Sequence, residues 1–88
     1  RKLLKGVIHM DEIKQQVLEI LSEIKPDVDD FESIKELVHG GTLDSLNIVM
    51  LVGELSDAFD ISIPPQEISY ENFDTVDGLV KMVKRLQD

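Results

Sequence analysis

Eighty-eight residues, no cysteine, and eighteen acids against nine basic residues leave few roles open to this chain. A domain of this size buries only about 60–65% of its unfolded surface, which suffices for one hydrophobic core but not for a deep catalytic cleft with walls of its own. The missing thiols exclude a disulfide framework and a thiolate metal site, no apolar run approaches the roughly 20 residues that span a bilayer, and a formal charge of −9 makes nucleic acid a poor partner.

Residues 1–9 stand apart. They hold three of the nine basic residues and no acid, and the apolar content of Leu3-Leu4 and Val7-Ile8 is too short for the core of a signal peptide. His9-Met10 looks like a cloning junction followed by a start methionine, so residues 1–9 are expected to be a non-native leader and residues 10–88 the domain proper. Without that leader six basic residues face eighteen acids, and no Lys or Arg lies between Lys35 and Lys81. A field of that sign steers a protein toward basic patches on other proteins.

From Asp11 to Lys25, Ile13, Val17, Leu18, Ile20, Leu21 and Ile24 recur at helical spacing, Asp11 can cap the start, and Pro26 stops the run. Residues 26–43 form a long connection, in which Ser33 to His39 is predicted to make about two helical turns ended by Gly40-Gly41. Phe31 and Leu37 are its expected anchors to the core. The next helix runs from Asp44 to Phe59, with Leu46, Val49, Met50, Leu55 and Phe59 predicted to face the core. Ile48, Leu51 and Val52 make this helix apolar over more than half its circumference. An extended Asp60–Ile63 follows, and Pro64-Pro65 opens a short turn through Ile68. Thr75 is the N-cap of a last helix to Leu86, with Val76, Leu79, Val80, Val83 and Leu86 at helical spacing and Lys81, Lys84 and Arg85 in its later turns. The expected fold is all-α, a small antiparallel bundle of three main helices plus one or two short ones.

Asp44-Ser45-Leu46 sits where a glycine-containing loop meets the second helix. Either Asp44 or Ser45 could be the N-cap, its side-chain oxygen taking a first-turn backbone N–H. An exposed Ser45 hydroxyl at that point would also suit a phosphate ester, because free N–H groups and the positive end of the helix dipole favour anions there. A Ser–His–Asp reading of Ser45, His39 and Asp44 fails on placement, since Asp44 is adjacent to the serine and not placed to orient an imidazole. His39 is expected to face solvent near a helix end. Asp27-Val28-Asp29-Asp30 does not make a calcium loop, because Glu32 and Val38 stand where glycine and glutamate are required. No metal site is expected.

Gly41-Thr42-Leu43-Asp44-Ser45-Leu46, with Val49, Leu51-Val52, Leu55, Phe59 and Ile63-Pro64 after it, resembles the attachment region of acyl carrier proteins. The resemblance spans residues 10–88. It implies a non-catalytic carrier whose 4′-phosphopantetheine arm, taken from coenzyme A by a phosphopantetheinyl transferase, is attached to Ser45 between Asp44 and Leu46. The cargo would ride on the arm as a thioester, supplied by an acyl- or aminoacyl-activating ligase and passed to downstream transferases. It further implies a cytoplasmic monomer whose second helix is the face that partners recognise, here Ile48 and Met50 with Glu54 and Asp57.

Fatty-acid carriers place acids along the exposed side of that helix, where this chain has Asn47, Ile48, Met50, Gly53 and Ser56, with Glu54 and Asp57 the only acids before Asp60. Ile61-Ser62-Ile63 through Phe73-Asp74-Thr75 is instead similar to the D-alanyl carrier proteins, which suggests an amino acid or short acyl cargo. The alternative is a helical adaptor that binds a partner through the exposed apolar face of the second helix. A carrier needs the Ser45 hydroxyl; an adaptor would tolerate its loss.

Overall fold

The computed structural model describes residues 10–87, and the expected leader at residues 1–9 lies outside them. Among the described residues four α-helices follow one another: α1 Met10–Ile24, α2 Ser45–Phe59, α3 Tyr70–Phe73 and α4 Val76–Gln87. Single 3-10 turns at Phe31–Ser33 and Pro65–Glu67 punctuate the two longer connections. Among the described residues there is no strand.

α1 and α4 form the spine of the bundle and pack chiefly on each other. Their apolar residues recur on one stripe, and it is this stripe that is buried: Ile13, Val17, Ile20 and Leu21 on α1, Val76, Leu79, Val80 and Val83 on α4. Within the described residues α1 already includes Met10, so Asp11 lies inside the helix and not ahead of it. Thr75 caps α4, its hydroxyl accepting the Gly78 N–H at 2.9 Å.

α2 is where the predicted register fails. Leu51 and Leu55 are fully buried, with Ile48, Val52 and Phe59 packed partly buried beside them. Leu46, Val49 and Met50, all expected to face the core, are instead 67%, 67% and 44% exposed. At about 100° per residue, positions 48, 51, 52, 55 and 59 share one face while 46, 49, 50 and 53 lie opposite. A helix apolar on both faces offers two registers, and contact with α1 selects one. Phe59 is half-buried, so its truncation costs less than the about 3–5 kcal/mol of a fully buried phenylalanine.

The long connection also departs from expectation. Ser33–His39 is not two helical turns: the chain leaves the Phe31–Ser33 turn extended at Ile34, with φ −88° and ψ 124°, and then turns through residues 37–41. Phe31 and Leu37 are buried as predicted, joined by Leu43. Gly41, at φ +88°, takes a conformation that a side chain would strain. α3 was not foreseen, being a single turn capped by the Ser69 hydroxyl, which accepts the Asn72 N–H. It lies so close to α4 that a Cβ on Gly78 would stand 2.7 Å from the Glu71 carbonyl oxygen.

Candidate functional site

The ambiguity between Asp44 and Ser45 is resolved by a reciprocal cap. Asp44 Oδ1 accepts the Asn47 N–H at 2.9 Å, and Asn47 Oδ1 accepts the Asp44 N–H at 3.0 Å. This capping box satisfies the end of α2 without Ser45. Ser45 becomes the first residue of the helix, exposed, and its hydroxyl has no partner among the described residues. The Ser45 and Leu46 N–H groups belong to the first turn, which has no intrahelical acceptor for them. The pattern Asp-x-x-Asn was legible beforehand as a capping box, and was missed.

Ser45 opens onto a groove of about 430 Å³ that is also lined by Val38, Ile48, Ile68, Ser69, Tyr70 and Phe73. Four stretches of chain meet there: the turn before α2, the start of α2, the segment entering α3, and α3 itself. That segment is held by Glu67, whose carboxylate accepts two hydrogen bonds from Arg85 at 2.9 Å and one from the Asn72 side chain at 3.0 Å.

His39, expected near a helix end, lies instead in the turn before α2 and is engaged on two sides. Its ring stacks on Tyr70 with centroids 3.8 Å apart, and its Nδ1 lies 3.2 Å from Asp74 Oδ2. Asp74 Oδ1 accepts the N–H groups of Val38 and His39, both at 2.9 Å. Burial pushes the Asp74 carboxyl up, but the His39 and Val38 N–H bonds, the His39 ring bond and the His39 charge outweigh it and hold the group below its ordinary value. With Asp44 committed to Asn47 and His39 to Asp74, no Ser45–His39–Asp44 triad is assembled.

Of the residues expected to meet partners, Met50, Glu54 and Asp57 are exposed, whereas Ile48 is half-buried against the core and lines the groove. The outward apolar stripe is Leu46, Val49 and Met50, all three of which sequence reasoning had turned toward the core, Met50 being also among the residues expected to meet partners. Among the described residues no group of three or more His, Asp or Glu could hold a metal, the Asp27–Asp30 segment included, and no helix is long and apolar enough to cross a membrane.

The family model described as phosphopantetheine attachment site matches residues 11–83. The chain is also similar to curated proteins named D-alanyl carrier protein. That of Lactobacillus delbrueckii subsp. bulgaricus is 32% identical over 77 residues, covering 88% of this chain and 96% of the relative. That of Lactococcus lactis subsp. lactis is 32% identical, covering 86% and 98%, and that of Streptococcus sanguinis 35% identical, covering 88% and 98%. The family model spans nearly all of α1 through most of α4, the whole frame that presents Ser45. The chain belongs to the phosphopantetheine attachment-site family, as a carrier of that prosthetic group and not a catalyst.

Proposed function

We propose that Ser45 bears the 4′-phosphopantetheine arm on its Oγ and that the arm delivers an aminoacyl cargo, D-alanine being the first candidate. The observation that carries the site is the free hydroxyl: Asp44 and Asn47 cap α2 between them, and Ser45 stands first in the helix with no structural duty. The arm supplies a thiol that holds the cargo as a thioester. The residues present fit such a group. The first-turn N–H groups of Ser45 and Leu46, with the helix dipole behind them, favour the negative phosphodiester. Exposed Leu46 keeps the position after Ser45 open to a partner enzyme.

A carrier of this family works with a phosphopantetheinyl transferase that arms it and a ligase that loads it. For the cargo, support comes from the relatives, all three named D-alanyl carrier protein. For the docking face, support comes from Leu46, Val49 and Met50, an exposed apolar stripe bordered by Asp44, Glu54 and Asp57. In this arrangement the acids guide encounter and the apolar residues set residence time. The absence of Lys and Arg from residues 36–80 favours protein partners with basic rims over nucleic acid.

The test is arm attachment. Incubated with a phosphopantetheinyl transferase and coenzyme A, the protein should gain the mass of one arm, and Ser45→Ala should gain none. Equal modification of Ser45→Ala, through Thr42 or Ser56, would overturn the assignment.

A further inference from the structure

Three consecutive N–H groups of the turn before α2 end on one residue at the far side of the groove. The Leu37 N–H donates to the Asp74 carbonyl at 2.8 Å, and the Val38 and His39 N–H groups to Asp74 Oδ1 at 2.9 Å each. The His39 ring holds the other carboxylate oxygen, Oδ2, which fixes the orientation in which Oδ1 faces the backbone. Leu37 passes the constraint on, its carbonyl accepting the Leu43 N–H at 2.7 Å. Leu43 is the residue before the Asp44 cap. A chain of short contacts therefore runs from α3 to the start of α2: Asp74, Leu37, Leu43, Asp44, Ser45.

The core does not require all of this. Phe31, Leu37 and Leu43 already anchor the turn by burial. His39 and Tyr70 are more than half exposed, and exposed pairs contribute little to stability. What their stack does is join two walls of the groove at Ser45, since Tyr70 and Val38 both line it.

We propose that Asp74, His39 and Tyr70 form a clasp that positions the turn leading into Ser45, so that the Ser45 backbone is held in one place for arm attachment. These are positioning residues, acting through the backbone of Leu37–Leu43 and not on the reacting atoms. The inference rests on the Ser45 reading. A positioning group acts on the rate of the step it orients, whereas a contact residue acts on binding.

The first measurement is hydrogen exchange on the full, unmodified chain, which needs no arm and no Ser45 chemistry. In Asp74→Ala the amides of Val38 and His39, which lose their acceptor, and that of Leu43 beyond them should exchange at least about tenfold faster while α1 and α4 keep their protection. The second is arm attachment by a phosphopantetheinyl transferase with coenzyme A. In His39→Ala, an exposed change that leaves the core intact, kcat should fall about fivefold with the KM for the carrier within about twofold. His39→Gln, whose amide can still donate to Asp74, should recover most of the rate. Unchanged Leu43 exchange in Asp74→Ala would overturn the proposal, as would a loss confined to KM, or a rate loss that Gln does not rescue. Should Asp74→Ala fail to fold, Leu43 exchange in His39→Ala decides the same point. Attachment that persists in Ser45→Ala would instead break the Ser45 reading, leaving the exchange result standing.

Discussion

α2 and α4 are both rich in apolar residues, yet they use them differently. α4 buries Val76, Leu79, Val80, Met82 and Val83 and turns Asp77, Lys81, Lys84 and Arg85 outward. α2 buries only Leu51 and Leu55 fully and leaves Leu46, Val49 and Met50 exposed on the opposite side. The difference is one of supply and demand: α4 has one apolar stripe, which the core consumes, while α2 has two, of which the core takes one. The second stripe begins one residue after Ser45, and a carrier has a use for it that an isolated bundle does not.

That contrast can be broken most sharply by truncating a leucine on each face of α2. Leu55→Ala should cost about 2–5 kcal/mol, as a fully buried leucine does. Leu46→Ala should stay within about 0.5 kcal/mol, as surface changes do. Similar losses in urea melts would show that the two faces are not distinct.

The outer stripe should show its worth in loading. Met50→Glu, made on protein already carrying the arm, should keep the helical circular dichroism but slow loading by the cognate ligase about tenfold, the effect of losing an apolar anchor. Undiminished loading would place the docking face elsewhere.

Glycines extend the comparison at smaller energies. A Cβ at Gly78 of α4 would meet the Glu71 and Asn72 carbonyl oxygens at 2.7 and 2.9 Å, so Gly78→Ala should destabilise by about 1–3 kcal/mol. Gly53 of α2 has nothing within 4 Å of such a Cβ, and Gly53→Ala should stabilise by about 0.5–1 kcal/mol. Thermal melts of the two variants should move in opposite directions.

The smallest effect belongs to the clasp. Asp74 has a folded-state pKa below its unfolded one, so its contribution is complete above the ordinary carboxylate range near pH 4 and is lost as pH falls through the lowered value. Asp74→Asn should therefore flatten the acid limb of the stability curve relative to the parent chain. Parallel acid limbs would mean that the carboxylate is not stabilised in the fold.

These contrasts also mark what the sequence made legible. Strict spacing in α1 and α4, Pro26 as a stop and Thr75 as a cap carried the bundle, because each has one physical reading. Ser45 was legible as a candidate through its place at a helix start. The face of α2 was not, since periodicity cannot choose between two apolar stripes when only tertiary contact decides. The turn at residues 34–43 was invisible for a related reason. Three of its N–H groups, those of Leu37, Val38 and His39, are satisfied by Asp74, more than thirty residues away, and no local pattern announces such a partner. Leu37 and Phe31 could be picked as anchors because they are large and apolar, whereas Leu43, equally buried beside the cap, was not.

The central claim is that the arm stands on the first residue of α2. Fragmentation mass spectrometry of the protein, modified by a phosphopantetheinyl transferase with coenzyme A, should place a single arm on Ser45. An arm on Thr42, Ser56 or any other hydroxyl would contradict the account.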